Sequence, residues 1–384
     1  MKRKSWIFYI FILLIIVVFI FELYNNNNEQ EVSSLNEIST SFLSNDEINK
    51  QDLPLSNLEV HYIDVGQGDA TLLKFLGENN KTYHILYDVG DWKGNEVVPY
   101  LEKEQVKSID LIIVSHPHAD HIGQLKAVLE NFPVEEIWMT ENKSESNVFQ
   151  SALQAILDSK ANYHVPKVNE RYFINQLEIE ILHPDSLTGD LNADSLAVRF
   201  TYGNNSFIFT GDAYQDGEQE MVKRVGDLEA EFLQLGHHGS STSSAPSFVE
   251  AVNPNYAIYS AAKDNSYGHP HVETVKLFSD LDIPLYGTDV HGTIIVTTDG
   301  ITSRIETEKE GQVAKRKPQT RKTCIDINEA SFENLRQIQH INEERAKELI
   351  ELRPFKNINE LRKIYGIGKG RLRDIKQEGL ACVN

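Results

Sequence analysis

The 384-residue sequence predicts an α/β sandwich joined to a small all-α module. Three observations carry this. Short apolar and alternating strands mix with helices through residues 57–308, the pattern of a layered α/β domain. Within 323–384, apolar residues recur at helical spacing. Between the two, residues 309–322 hold Lys315, Arg316, Lys317, Arg321 and Lys322 with Pro318 and no apolar period, a basic linker.

Residues 1–24 read as a membrane anchor. Lys2, Arg3 and Lys4 precede an apolar run from Trp6 to Phe21, extending to Tyr24. It is long enough to cross most of a ~30 Å hydrocarbon core as a helix. Basic residues before the run and Glu22, Glu29 and Glu31 after it predict an extracytoplasmic body. The run is long for a signal peptide and no A-x-A-like site follows it, which favours an uncleaved anchor; cleavage would make the body secreted. Residues 25–56, rich in Asn, Ser, Glu and Gln, read as a flexible tether.

In the body, Leu58–Ile63 alternates as a strand. Ala70–Phe75 and Tyr83–Val89 flank a Gly-Glu-Asn-Asn-Lys turn and predict a hairpin. Asp110–Val114 is a short apolar run, as in a buried strand. Helices are expected at 123–131, 147–159, 245–252 and 272–281. A second hairpin pairs 196–202 with 206–210 around Gly203-Asn-Asn, and further strands fall at 231–235, 256–260, 293–297 and 303–306.

Composition limits the function classes. With 57 Asp or Glu against 37 Lys or Arg the net charge is −20, which argues against a chain that coats nucleic acid over its whole surface. Two cysteines exclude a disulfide-dense scaffold and a Cys-rich zinc finger. The charge is uneven: residues 313–384 hold 16 Lys or Arg and 10 Asp or Glu, a balance of +6, and the remainder carries −26.

The apolar strand 110–114 runs into Ser115-His116-Pro-His118-Ala-Asp120-His121-Ile-Gly123. Three imidazoles and a carboxylate in six residues, at the C-terminal end of a strand, suit a borderline divalent ion such as zinc or manganese. A tight loop can aim the i and i+2 imidazoles at one ion and present the next carboxylate and imidazole to a second. Two more strands end in ligands: Phe207–Phe209 leads to Asp212, and Phe232–Leu235 leads to His237-His238. An Asp at that place can bridge two ions, and either histidine can complete the second.

These motifs resemble the metallo-β-lactamase superfamily. Asp64-Val-Gly-Gln-Gly-Asp69, the Asp88-Val-Gly turn, Ser-His-Pro-His-Ala-Asp-His, Thr-Gly-Asp212, His-His-Gly-Ser and Tyr267-Gly-His269-Pro narrow the resemblance to the hydrolase domain of ComEC-type DNA-uptake competence proteins. It covers residues 58–306 and implies a four-layer αββα sandwich with two divalent ions at one edge. His116 and His118 would hold the first ion. Asp120 and one of His237 and His238, with His121 beside them, would hold the second, and Asp212 would bridge. The superfamily order prefers His237. Where the superfamily usually has another histidine, this chain has Asn192-Ala-Asp194-Ser195, so Asp194 or water would complete the first ion. His164 and His183 lie in unfitting contexts. In the implied mechanism a metal-activated water attacks, Asp120 orients it, and His269 binds or protonates the leaving group. Asp64, Asp69 and Asp88 would orient loops and ligands.

The tail resembles the tandem helix-hairpin-helix module of DNA-receptor competence proteins, through Asn328-Glu-Ala330-Ser331, the Pro354-Phe-Lys-Asn-Ile segment and Gly366-Ile-Gly368. Asn328 or Ser331 would cap the next helix. Gly366 and Gly368 let the backbone turn the N–H groups of the following helix toward a phosphate, and Lys369, Arg371 and Arg373 add charge. Such contacts hold the DNA backbone without reading sequence. The first hairpin departs from this pattern, with His340-Ile341-Asn342 in place of Gly-x-Gly. Cys324 and Cys382 flank the module and are expected to form a disulfide in an exported chain.

The expected function is therefore an extracytoplasmic, metal-dependent phosphodiesterase, a nuclease acting on DNA captured by the tail, with a DNA-uptake channel as an expected partner. The alternatives are a cell-wall or choline-type phosphodiesterase and a non-catalytic, membrane-tethered DNA receptor.

Overall fold

The computed structural model describes residues 55–313, 325–378 and 380–383, without the side chains of residues 369, 373 and 377. The expected anchor, most of the tether and most of the linker lie outside the described residues, as does Cys324. Among the described residues no helix is long and apolar enough to cross a membrane.

Two sheets stack face to face. The first runs β15(Ser303–Thr307), β14(Ile294–Thr298), β1(Leu58–Tyr62), β2(Ala70–Leu76), β3(Thr82–Val89), β4(Ile109–Ile113), β5(Val134–Trp138), β6(Asn162–His164). The second runs β13(Leu285–Gly287), β12(Tyr256–Tyr259), β11(Phe232–Gln234), β10(Asn205–Phe209), β9(Ala197–Tyr202), β8(Leu177–His183), β7(Arg171–Ile174). Inward-facing side chains alternate along each strand and meet between the sheets: Val60, Leu73, Phe75, Ile85 and Tyr87 from the first, Ile179, Val198, Phe200, Phe207 and Phe232 from the second. Opposite faces are covered by helices. Leu86, Ile112 and Ile137 pack against Val97–Lys103, Leu125–Asn131 and Asn147–Asp158; Ile208, Leu233 and Ala257 pack against Gln215–Arg224, Pro246–Val252 and Val272–Asp280. The result is the expected four-layer αββα sandwich.

Both expected hairpins form. In the first, β2 and β3 pair antiparallel across a turn closed by Gly77 N–H to Lys81 O, with Asn80 at φ 60. The structure adds strands that apolar periodicity does not single out. β6, β7 and β13 are edge strands, paired on one side only, and β5 and β8 lie next to the edges, where charged residues such as Glu135 and Glu178 interrupt the pattern. Leu55 and Ser56, read as tether, instead join the sandwich: Leu55 N–H donates to Asp299 O (3.1 Å).

The tail has its own core, in which Ile327, Leu335, Ile338, Ala346, Leu349, Leu361, Ile364 and Ile375 meet. Its helices are Phe332–Leu335, Glu343–Glu351 and Lys369–Glu378, with a 3-10 turn at Ile358–Lys363. A two-stranded parallel sheet, β16(Ile325–Asp326) with β17(Ala381–Cys382), brings its ends together. Ser331, not Asn328, is the helix cap, its Oγ accepting from Asn334 N–H (3.3 Å). Asn328 instead exchanges two hydrogen bonds with the backbone of Phe355. Cys382 is disulfide-bonded.

Candidate metal centre

Three strands deliver ligands to one place. β4 leads into Ser115–His121, β10 into Asp212, and β11 into His237-His238, so the centre sits at strand C-termini contributed by both sheets. That is where α/β sheets leave a crevice not closed by the next strand.

Asp212 lies at the middle. Its Oδ2 is 3.6 Å from His116 Nε2 and 3.5 Å from His237 Nε2, while His118 Nδ1 lies 2.9 Å from His116 Nε2. Its Oδ1 is 3.3 Å from His121 Nε2 and 4.0 Å from His238 Nε2. Asp120 closes the second group, with Oδ2 3.2 Å from His238 Nε2 and Oδ1 4.0 Å from His121 Nε2. Two nests of ligand atoms thus share one carboxylate, the arrangement a pair of divalent ions requires. Asp212 Oδ1 and His121 Nε2 are buried and make no hydrogen bond among the described residues, so a cation would satisfy them both.

His238, rather than the expected His237, faces the second nest. The reason is backbone conformation: His237 and His238 both adopt left-handed angles (φ 52 and φ 57), so consecutive side chains are thrown to different sides. His237 faces the other oxygen of Asp212, Oδ2, the one that His116 also approaches.

The ring orientations are fixed from behind. His121 Nδ1–H donates to Asp88 Oδ2 (2.8 Å), and His238 Nδ1–H donates to the carbonyl of Ser260 (3.0 Å). His237 Nδ1 pairs with Thr242 Oγ1 (2.9 Å) and His116 Nδ1 with Ser115 Oγ (3.0 Å). In each case Nε2 is the nitrogen presented to the centre. Asp88 also accepts from Ser115 N–H and Oγ–H (2.7 and 2.8 Å), which locks the loop that carries the motif. Asp69 lies near the Nδ1 atoms of His238 (3.5 Å) and His121 (3.8 Å) and accepts from Gln234 Nε2 (2.9 Å). It therefore backs the imidazoles, although its spacing alone would admit it as a ligand. Asp64 is further out: it caps Gly66 N–H (3.4 Å) and meets Lys309 Nζ at 3.5 Å.

Asp194, expected beside the first ion, joins neither nest of ligand atoms. Its carboxylate is consumed by Thr188 N–H and Oγ–H, Gly189 N–H and Asn142 Nδ2, and it shapes the 188–194 loop. Ser195, next to it, approaches the centre, its Oγ accepting from Asp212 N–H (3.0 Å) and lying 3.3 Å from His116 Nδ1. His164 and His183 are tied elsewhere, to Tyr172 Oη and to the carbonyl of Ala193.

The charge states divide along the same line. Burial holds His116, His118 and His237 below the usual imidazole range, so they are neutral and ready to ligate. Burial also opposes charging His238, but Asp69, Asp212 and Asp120 outweigh it and push it up to about 9. His121 is raised well above the usual range for the same reason, through Asp212, Asp88 and Asp120. The second nest is thus a place where the fold wants positive charge. His269 is buried with its ring 5.5 Å from that of His237; burial, reinforced by His237, His238 and His271, holds it well below the usual range. It can donate a hydrogen bond but is not an imidazolium at neutral pH. Solvent reaches the centre over Asp120, whose side chain is 30% exposed while that of Asp212 is 2% exposed.

In the tail, Gly366 takes φ +79 at the turn before Lys369–Glu378, and Arg371 Nη1 donates to its carbonyl (2.8 Å). Arg345, which no spacing marks, joins this turn by donating to Tyr365 O (3.2 Å) and to His340 O (3.0 Å). Gly368 faces open space. The side chains of Lys369 and Arg373 lie outside the described residues.

Comparisons with known proteins agree with this architecture. Residues 63–263 match the metallo-beta-lactamase superfamily and residues 321–378 match the helix-hairpin-helix motif. The chain is 29% identical over 254 residues to ComE operon protein 3 of Bacillus subtilis (strain 168), covering 62% of this chain and 32% of that protein. It is 28% identical over 246 residues to competence protein ComA of Neisseria gonorrhoeae, covering 63% of this chain and 32% of that protein. A 60-residue stretch is 45% identical to a deoxyribonuclease of Thioalkalivibrio sp. (strain K90mix), 16% of this chain and 17% of that protein. The chain spans about a third of the length of the two competence-related proteins.

Proposed function

The chain belongs to the metallo-beta-lactamase superfamily, and from that premise we propose that it is an extracytoplasmic, metal-dependent phosphodiesterase that hydrolyses DNA captured by its tail. The observation that carries the reading is the pair of ligand nests sharing Asp212. The helix-hairpin-helix match and the similarity to a deoxyribonuclease support the choice of DNA among phosphodiesters. Similarity to competence proteins supports a place in DNA uptake, where a channel partner would carry the strand. The apolar run Trp6–Phe21 supports an anchored, extracytoplasmic body.

His116, His118, His237 and Asp212 would hold one ion; Asp120, His121, His238 and Asp212 would hold the other. Zinc and manganese both suit these imidazole and carboxylate donors. When bound, such ions acidify water toward neutral pH and neutralise charge on phosphoryl oxygens. The chain's own groups do the rest. Asp120, the solvent-facing carboxylate, accepts a hydrogen bond from the attacking water and orients it. Asp88, Ser260 O and Thr242 keep the imidazoles aimed, so little reorganisation is left for the reaction. His269 offers a neutral N–H to the leaving oxygen.

The test is cleavage of single- and double-stranded DNA by purified residues 50–384 with Mn²⁺ or Zn²⁺, alongside His118→Ala. Metal-dependent cleavage lost in the variant is expected. Turnover of bis-nitrophenyl phosphate without DNA cleavage would move the reading to a cell-wall phosphodiesterase. DNA binding with no hydrolysis under any metal would leave a receptor.

A further inference from the structure

The first hairpin of the tail carries His340-Ile341-Asn342 where a phosphate-gripping turn carries Gly-x-Gly, and the structure gives that departure a use. His340 sits at φ 62, and its Nε2 lies 2.5 Å from Asp374 Oδ2 on the last helix, Lys369–Glu378. The other oxygen of the same carboxylate accepts from a residue of the sandwich: Tyr214 Oη–H donates to Asp374 Oδ1 (3.2 Å). Tyr214 is two residues beyond Asp212, is itself buried, and has its ring centroid 6.2 Å from that of His237. Asp374 is close enough to favour the charged forms of His118 and His237, against the stronger effect of their burial.

A second contact lies one turn away. The Asp190 carboxylate of the 188–194 loop sits over Gly370, so closely that a Cβ there would clash with it. The tail therefore meets the rim of the metal centre through the same helix that begins at its own phosphate-facing turn. Asp374 lies six positions beyond Gly368, about 9 Å along a helix at ~1.5 Å per residue, the length of about three nucleotides at ~3.4 Å each.

We propose that Asp374 is a positioning residue that latches the DNA-binding module onto the sandwich through Tyr214, so that a strand gripped at Gly366–Gly368 is handed directly to the His118–His237 face of the metal centre. This rests on the phosphodiesterase reading above. His340 holds the carboxylate in place from the module side, Tyr214 receives it on the sandwich side, and the tail acts as a fixed guide. A carboxylate so placed contributes no grip of its own on a phosphate, so its effect is separable from DNA affinity and from the chemistry.

The experiment compares residues 50–384 with Tyr214→Phe, which removes one hydroxyl, and Asp374→Asn. Four readouts are taken: kcat/KM on a labelled oligonucleotide, kcat/KM on bis-nitrophenyl phosphate, oligonucleotide affinity without metal, and hydrogen exchange of the 369–378 helix. The latch predicts a loss of about tenfold or more on the oligonucleotide, as a guided encounter becomes a tethered one. It also predicts bis-nitrophenyl phosphate turnover and oligonucleotide affinity within about twofold of the parent, and faster exchange in the helix in both variants. Unchanged or faster oligonucleotide cleavage overturns it, as does unchanged helix protection, or a parallel loss on both substrates. A parent that hydrolyses neither substrate with any metal would instead refute the phosphodiesterase reading, and the exchange measurement would still judge the latch.

Discussion

His237 and His238 are consecutive residues that face opposite oxygens of one carboxylate: His237 Nε2 lies 3.5 Å from Asp212 Oδ2, and His238 Nε2 lies 4.0 Å from Asp212 Oδ1. In the proposed two-ion centre the two histidines would therefore serve different ions. His237→Ala and His238→Ala should each lower bound metal from about two to about one per chain, and Asp212→Ala should lower it further, because a bridging ligand serves both ions. Metal content after desalting measures this. Full occupancy in His237→Ala would remove it from the ligand set.

Asp88 acts on the centre through His121. It is fully buried and accepts from His121 Nδ1–H at 2.8 Å. Asp88→Asn keeps the shape but weakens that acceptor, and metal affinity should fall about 10- to 100-fold. Competition with a chelator reads the change. An affinity equal to that of the parent would make Asp88 a loop residue only.

Metal binding should tighten as pH rises. Burial resists the charge on His238, yet Asp69, Asp212 and Asp120 push its pKa up to about 9, and His121 is raised as well. Below that pH an arriving ion must displace the proton of His238, and above it that imidazole is free. Titration calorimetry in buffers of different ionisation enthalpy should show proton release near neutral pH that shrinks toward pH 9. Absence of release at pH 7 would contradict these charge states.

Glu218 gives a separate effect on stability. It is fully buried, and desolvation pushes its carboxyl up to about 7, against the pull of hydrogen bonds from Ala245 N–H (2.7 Å) and Ser244 N–H (2.6 Å). A folded-state pKa above the unfolded one stabilises fully below the unfolded value, and that contribution is lost as pH rises through the folded value. Stability should fall between about pH 4.5 and 7, and Glu218→Gln should flatten that part of the profile. Denaturant midpoints of parent and variant across this range provide the comparison; identical slopes would assign the pH dependence elsewhere.

DNA capture should be electrostatic and depend on the tail turn. Arg345 and Arg371 meet around Gly366. Each arginine that neutralises a phosphate steepens the fall of log affinity with log salt by about one unit, so Arg371→Ala should reduce the slope by about that much. Binding insensitive to salt would exclude phosphate contact at this turn.

What the sequence discloses follows the range of the interactions. The His116–His121 ligands lie within six residues and end an apolar strand, so local pattern suffices to find them. Asp212 and the His237-His238 pair are legible for the same reason, each closing its own strand. Which histidine faces which ion is not, because it turns on two left-handed backbone angles with no compositional signature. Asp194 misleads: a carboxylate in the place of a ligand is spent on loop hydrogen bonds from partners as distant as Asn142. Thr242, Arg345 and the His340–Asp374–Tyr214 chain are invisible to spacing, since each joins residues that only folding brings together.

The two sheets contribute ligands to the same carboxylate, His116 to His121 from one and His237-His238 from the other. An occupied centre is then a rivet at the edge of the sandwich, added to the apolar core that already joins the two sheets. Starvation for metal would do more than silence the enzyme: it would loosen that edge and open the chain to proteolysis, so that abundance as well as activity would follow the supply of the ion.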